Sequence, residues 1–385
     1  LRDAGVELEM PDGAFYLWID IRGAGVPSRT FARTLLDAHG VAVVPGLDFG
    51  SCGEGYVRVS LAAAPEALSQ GLDRLGQYHA QLLADGGMET TLIFLDGLDL
   101  PDFAAFDLLR RTGGRAALER YIRPYAELAR RLGTGFILDS ATWRASADWG
   151  TRLGYTPKTL ADANREAIAM LEPLREEFQT PQTPVVLNGC VWPRGDGYSA
   201  DRLLSVTESE SYHREQIDTF VGTEADMVSA ITMNYVEEAI GITQAARQAA
   251  MPVVIFFTVE TDGRLPTGQT LQAAVDQVDA ATDAYPAYFM INCAHPTHFD
   301  QVLETRAPWL DRLGGLRANA SRKSHAELDE STDLDDGDPS ELGRQYAAIK
   351  QRAPRLNVLG GCCGTDHRHI EQIAATCAPL FPQAD

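Results

Sequence analysis

The chain has 385 residues, 45% of them hydrophobic and 23% charged, which is the composition of a folded globular protein with room for a large core. Its formal net charge of −21 repels polyanions, so nucleic acid and anionic membrane surfaces are excluded as expected partners and small molecules remain. The sequence holds no run of about 18 apolar residues and no basic-then-apolar leader, so a cytoplasmic protein is expected; in that reducing setting the six cysteines read as free, metal-bound or catalytic.

The first eighty residues read as a small α+β lobe. "AFYLWIDI" alternates like a strand, "SRTFARTLLDAHG" has helical spacing closed by Gly40, and "VAVVPG" and "GYVRVSLA" are further strands. "PEALSQGLDRLGQYHAQLL" starts with a proline suited to a first helical turn and keeps apolar spacing. The chain begins at Leu1 without an initiator methionine, which suggests a piece of a longer fusion or a remnant joined to a second, complete unit.

From residue 81 the texture changes to short apolar runs, each followed by a helix-like stretch. The strands expected are a short one running into "ADGGM", then "GFILD", "PVVLNG", "DMVSAITM", "PVVIFFTV", "AYFMINC", "GLRANA" and "LNVLGG". Continuous apolar strands alternating with helices such as "LADANREAIAMLEPLREEF" and "VEEAIGITQAARQAA" indicate a parallel sheet covered by helices. Eight such units predict an α/β fold, a (β/α)8 TIM barrel over 81–385, preceded by the small α+β lobe over 1–80. "DESTDLDDGDPSEL" reads as an acidic loop in which Asp338 caps a helix opened by Pro339.

In such a barrel, reactive groups gather at the C-terminal ends of the strands. Cys293 closes the sixth strand in "MINCAHP", and Cys362 and Cys363 close the eighth in "VLGGCCGT", so three sulfurs are aimed at one mouth. Structural zinc sites usually take four protein ligands, whereas a catalytic site leaves a position open, and three cysteines fit the second pattern. Gly360, Gly361 and Gly364 are expected to let the backbone fold tightly enough for adjacent side chains to reach one ion. Two other readings stay open: a redox protein cycling a vicinal Cys362–Cys363 disulfide with Cys293 as partner, and a non-catalytic ligand-binding barrel.

"ADGGMETTL", "INCAHP" and "LGGCCGT" resemble, in order and spacing, the homocysteine S-methyltransferase family, zinc-dependent barrels that methylate homocysteine to methionine. The resemblance implies Zn2+ held by Cys293, Cys362 and Cys363, with the homocysteine sulfur in the open position and a small-molecule methyl donor as the second substrate. It implies that Asp85 helps bind the amino end of homocysteine. Thr258, Glu260 and Asn292, at strand ends, are further candidates to face the substrate, whereas His295, His298 and His325 read as loop residues and not ligands. Many family members carry an acidic residue after the fourth strand, but this chain has Thr232 and Met233 there, with Glu237 and Glu238 farther along on a helix; Glu89 is the candidate replacement. The methyl donor is left open among S-methylmethionine, S-adenosylmethionine, betaine and a methylated folate.

Residues 5–80, through "PDGAFYLWID", "GVAVVPGLDFG" and "GYVRVSLA", resemble the C-terminal small domain of pyridoxal-phosphate aminotransferases of the aspartate aminotransferase type. In that family the arginine matching Arg58 binds the substrate carboxylate. The cofactor lysine belongs to a larger domain that has no counterpart here, so no aminotransferase activity is expected.

Overall fold

The computed structural model describes residues 16–62, 68, 71, 81–200, 203–304 and 307–381. Strands β1 (Tyr16–Asp20), β2 (Val44–Pro45) and β3 (Tyr56–Ser60) form an antiparallel sheet in the order β1-β3-β2. A helix over Ser28–His39 packs beside it and ends on Gly40, whose φ of 65° is the left-handed C-cap that glycine adopts without steric cost. The helix expected over 65–83 lies mostly outside the described residues. Its last two residues belong instead to β4 (Leu82–Leu83), because the backbone there is claimed by the barrel: the Leu82 and Ala84 amides donate to the carbonyls of Asn357 and Leu359, both at 2.9 Å.

The barrel continues with β5 (Gly135–Asp139), β6 (Val185–Val191), β7 (Met227–Met233), β8 (Val253–Phe257), β9 (Phe289–Asn292), β10 (Leu313–Ala318) and β11 (Val358–Gly361). All eight strands pair in parallel, and the sheet closes in the order β10-β11-β4-β5-β6-β7-β8-β9. Alternate residues serve two layers. In β8, Val253, Ile255 and Phe257 join the core under the helices, while Val254 and Phe256 point into the barrel. Both faces are thus buried, which is why these strands read as unbroken apolar runs. The stretch 160–178, expected as one helix, is two, Pro157–Ala169 and Glu172–Phe178. Pro173 has no amide hydrogen to continue the ladder, so the second helix starts around it.

The small lobe is seated on the barrel. Ile19, Phe31, Leu35 and Val57 share one cluster with the interior residues Leu82, Met227, Met290 and Val358, and Leu82, Met227 and Val358 each begin their strand. The lobe therefore closes the N-terminal end of the barrel. Each large side chain buried there contributes about 1.5–3 kcal/mol. At the contact, Gly25 has a φ of 71°, its carbonyl accepts from the Tyr288 hydroxyl at 3.3 Å, and a Cβ added to it would stand 2.8 Å from Val358 and 3.3 Å from Leu82.

This packing separates two glycine substitutions. Gly97, at φ 68°, has open space where a Cβ would go, so Gly97→Ala is expected to cost only the left-handed backbone term, about 1 kcal/mol. Gly25→Ala adds overlap with the barrel interior and is expected to cost about 2–4 kcal/mol. Denaturant unfolding of the two variants measures this, and equal losses would mean that the lobe does not press on the barrel end.

Candidate metal centre and active site

Strand order explains how distant cysteines meet. β10 lies between β9 and β11, so Cys293, just after β9, and Cys362, just after β11, flank the same strand. The Cys293 amide donates to the Arg317 carbonyl at 3.1 Å and the Cys362 amide to the Ala318 carbonyl at 2.9 Å, fixing both on β10. The sulfurs of Cys293, Cys362 and Cys363 all lie within 4.8 Å of one another, and they form the one such cluster of metal-ligating groups among the described residues. Cys293 and Cys362 are joined as a disulfide, with Cα atoms 5.4 Å apart, and Cys363 is free. The vicinal Cys362–Cys363 pair of the redox reading is therefore not the one formed. Neighbouring Cα atoms sit about 3.8 Å apart across a trans peptide, short of the usual disulfide span, whereas the β9 and β11 ends offer an ordinary one.

The backbone around the sulfurs is held in unusual conformations. Cys293 has a φ of 53° and Thr232, at the end of β7, a φ of 61°, a region that costs a β-branched residue energy and persists only where its surroundings enforce it. Asn292 does so for Thr232: its Oδ1 accepts from the Thr232 amide at 3.1 Å and its Nδ2 donates to Thr232 Oγ1 at 2.7 Å. The same Nδ2 lies 3.3 Å from Cys293 Sγ, and Thr232 Oγ1 donates to that sulfur at 3.7 Å. The glycines of the motif act differently from the expectation of simple freedom. Only Gly364 takes a positive φ, 79°, while Gly361 is needed for close approach, since a Cβ there would stand 2.1 Å from Thr365 Oγ1.

Beneath the sulfurs lies a buried charge cluster of which the sequence reading named only Asp85. The Arg317 guanidinium donates to carboxylate oxygens of both Asp85 and Asp139, and its Nε donates to the Gly361 carbonyl at 2.9 Å. Asp85 also accepts from the Tyr121 hydroxyl at 3.0 Å, and Asp139 from Asn188 Nδ2 at 2.7 Å. Burial pushes the Asp85 carboxyl up to about 6 against the opposing pull of Arg317. Two carboxylates around one guanidinium leave this floor with one net negative charge.

The remaining expected residues take distinct places. Glu89 lines the cavity, accepts from the Trp143 indole, and is pushed up to about 7 by its enclosure. Asn292 lines it too. Thr258 and Glu260 stand behind His325, with Thr258 Oγ1 3.5 Å from Nε2 and Glu260 Oε1 3.3 Å from Nδ1; Nε2 donates to the Cys293 carbonyl and the ring rests on Tyr198 at 4.4 Å between centroids. Glu238, on the helix after β7, is buried away from the mouth, accepting from His213 and the Arg194 amide. His295 caps a short helix and His298 donates to the Arg322 carbonyl. In the lobe, the Arg58 guanidinium is stacked on Tyr16 and Phe49, at 4.1 and 4.3 Å from the ring centroids.

The three cysteines, Asp85, Asp139, Arg317, Glu89, Asn292 and His325 line a cavity of about 340 Å³, roofed on one side by Asp333, Leu334 and Asp335 of the acidic loop and walled by Trp143, Arg144, Trp192 and Tyr198. Asp338 caps the following helix as expected, accepting from the amides of Ser340 and Glu341. The donor set at the cavity's base suits a soft divalent cation. Burial pushes the Cys363 thiol up to about 11, so at neutral pH a sulfur here keeps its proton unless a metal replaces it. Three thiolates with no further ligand among the described residues match a zinc site with an open position, and holding a metal this way requires Cys293 and Cys362 reduced.

Fold and site define a parallel (β/α)8 barrel with a three-cysteine cluster at its C-terminal mouth. The family model for homocysteine S-methyltransferase matches residues 82–377, and the chain belongs to that family. The aminotransferase class I and II model matches residues 1–75. Among solved structures, the homocysteine methyltransferase MmuM from Escherichia coli shares the fold in its oxidized form (20% identity, TM-score 0.60, 77% of this chain and 95% of that one) and its metallated form (18%, 0.58, 77% and 96%). Curated relatives of the N-terminal segment include a probable N-acetyl-LL-diaminopimelate aminotransferase of Bacillus subtilis, 46% identical over 71 residues, and an aspartate aminotransferase of Pyrococcus abyssi, 44% identical over 75. The chain spans 18% and 19% of their lengths, and they cover 18% and 20% of it.

Arg317→Met leaves Asp85 and Asp139 buried without their cation, and a loss of about 3–5 kcal/mol in unfolding free energy is expected. A loss under about 1 kcal/mol in denaturant titration would show that the floor does not depend on this guanidinium.

Proposed function

We propose that the protein transfers a methyl group to the thiol of homocysteine, giving methionine, with zinc held by Cys293, Cys362 and Cys363. The observation that carries this reading is the convergence of those three sulfurs at the catalytic end of the barrel. Zinc, when bound, supplies Lewis-acid stabilisation of the substrate sulfur as a thiolate near neutral pH. The homocysteine sulfur then displaces the donor's leaving atom from the methyl carbon: the new C–S bond forms, the old bond's electron pair leaves with the donor, and the thiol proton passes to solvent.

The chain's own residues orient this displacement. The net negative floor made by Asp85, Asp139 and Arg317 suits the substrate ammonium, and Glu89, on the same cavity, adds a third carboxyl in place of the one missing after β7. Asn292 holds Cys293 in its left-handed turn. Thr258 and Glu260 act at one remove, by setting the His325 ring against the Cys293 carbonyl. The cavity walls limit water around the reacting sulfur and hold donor and acceptor in line, where most of the advantage of a methyl transfer arises.

Metal analysis of the reduced protein is expected to give about one zinc per chain, lost with methionine formation in Cys293→Ser, Cys362→Ser or Cys363→Ser. Loss of free thiols on mild oxidation in a protein that never binds zinc favours redox chemistry instead. Assays with zinc-loaded protein, homocysteine and S-methylmethionine, S-adenosylmethionine, betaine or a methylated folate should yield methionine with at least one donor, and methionine from none overturns the proposal.

Glu89→Gln tests the amine contact. Losing a hydrogen bond to a charged partner is expected to weaken homocysteine binding about tenfold, seen as a raised KM. An unchanged KM removes Glu89 from the substrate site.

A further inference from the structure

One wall of the cavity holds an unusual surplus of hydrogen-bond donors. Arg144 lies against three indoles, with its guanidinium carbon 3.8 Å from the ring centroid of Trp149, 4.5 Å from Trp143 and 5.7 Å from Trp192. Among the described residues its Nε and Nη1, both buried, have no hydrogen-bond partner, and the same holds for the buried indole nitrogens of Trp149 and Trp192. All four are donors; none accepts. Buried donors left this way cost about 1–3 kcal/mol each, and of these residues Arg144 and Trp192 line the cavity, which points to an acceptor supplied from outside.

The acidic neighbours do not fill that role, because each is committed elsewhere. Glu89 accepts from the Trp143 indole, Asp196 from the Tyr198 amide at 2.8 Å, and Asp102 pairs with Arg152 at 2.9 Å. They act on Arg144 only through space, while burial draws its guanidinium pKa downward. Stacking on the indoles fixes the guanidinium plane, and Nη2 completes a two-donor edge with either Nε or Nη1, the arrangement in which arginine takes a planar two-oxygen anion. The floor across the same cavity carries net negative charge, so the site offers one acidic and one basic pole, as an amino-acid zwitterion requires.

We propose that Arg144 is the carboxylate-binding residue of this cavity, holding through its unpartnered guanidinium the carboxylate of a substrate whose reacting group lies toward the three sulfurs. The probes below rest on the methyl-transfer reading, since they are chosen to resemble acceptor and donor. Two sources of the carboxylate are possible, the thiol acceptor and the methyl donor, and the experiment separates them.

Calorimetric titration of the reduced, zinc-loaded full chain compares two matched pairs: L-homocysteine against 3-mercaptopropylamine, which lacks the carboxylate, and S-methylmethionine against its decarboxylated sulfonium. Wild-type protein is expected to prefer the carboxylate-bearing member of one pair by about 10- to 100-fold, and Arg144→Gln to bring that preference within about twofold. Collapse in the first pair assigns the carboxylate to the acceptor; collapse in the second assigns it to the donor. Arg144→Lys keeps the charge without the fork and should retain only part of the preference, which keeps the test decisive if Arg144→Gln fails to fold. No preference in wild type, or a full preference in both variants, overturns the proposal. If no donor yields methionine but the preference collapses in Arg144→Gln, the methyl-transfer reading fails and the carboxylate site stands. If methionine forms and the preference survives in Arg144→Gln, only the carboxylate site fails.

Discussion

The mouth of this barrel depends on one buried guanidinium. Arg317 leaves β10 and reaches Asp85 after β4, Asp139 at the end of β5 and the Gly361 carbonyl at the end of β11, so one side chain ties four strand ends together. Burying three charges is expensive, and an apolar cluster of the same volume is often the more stable choice. What the ionic version adds is position and sign. It draws in the end of β11 that carries Cys362 and Cys363, and it leaves one unbalanced negative charge under the cavity.

The sulfur cluster follows from that frame and from the strand order. Two strands separated by a third lie about 9.5 Å apart at ordinary sheet spacing, but past the strand ends the backbones converge and bring the Cα atoms of Cys293 and Cys362 to 5.4 Å. Cys293 reaches inward because its backbone turns left-handed after β9, and Asn292 and Thr232 lock that turn through paired hydrogen bonds. Cys362 and Cys363 are brought close by a turn that only glycine permits at 361 and 364. Strain of this kind costs about 1–3 kcal/mol per residue, and it sits where the sulfurs must converge.

The fold was legible because the signals were local and repeated. Eight apolar runs separated by helical stretches leave little choice of architecture, and the strand-end rule located all three cysteines. Errors fell where tertiary context outweighed local pattern. Leu82 and Leu83 read both as the end of a helix and as the short first strand running into "ADGGM", and barrel closure decides for the strand by pairing them between β11 and β5. Arg317 was not found, because a charged residue inside an apolar strand is uninformative until its partners Asp85 and Asp139, 232 and 178 residues away in sequence, are seen around it. Trp143, Arg144 and Trp192 were findable: each lies within a few residues of a strand end, and applying the rule to every strand, not only to those ending in cysteine, would have named them.

The two ends of the barrel divide the work between the two sequence resemblances. At the N-terminal end, a segment that matches the aminotransferase model supplies apolar side chains to the barrel interior, and its Arg58 is stacked on aromatic rings within the lobe. At the C-terminal end lie the sulfurs, the charged floor and the indole wall. In barrels of this type the N-terminal face serves stability and the C-terminal face chemistry. What the barrel end takes from Ile19, Phe31, Leu35 and Val57 is volume and apolar surface, which do not depend on any arginine being free to meet a ligand.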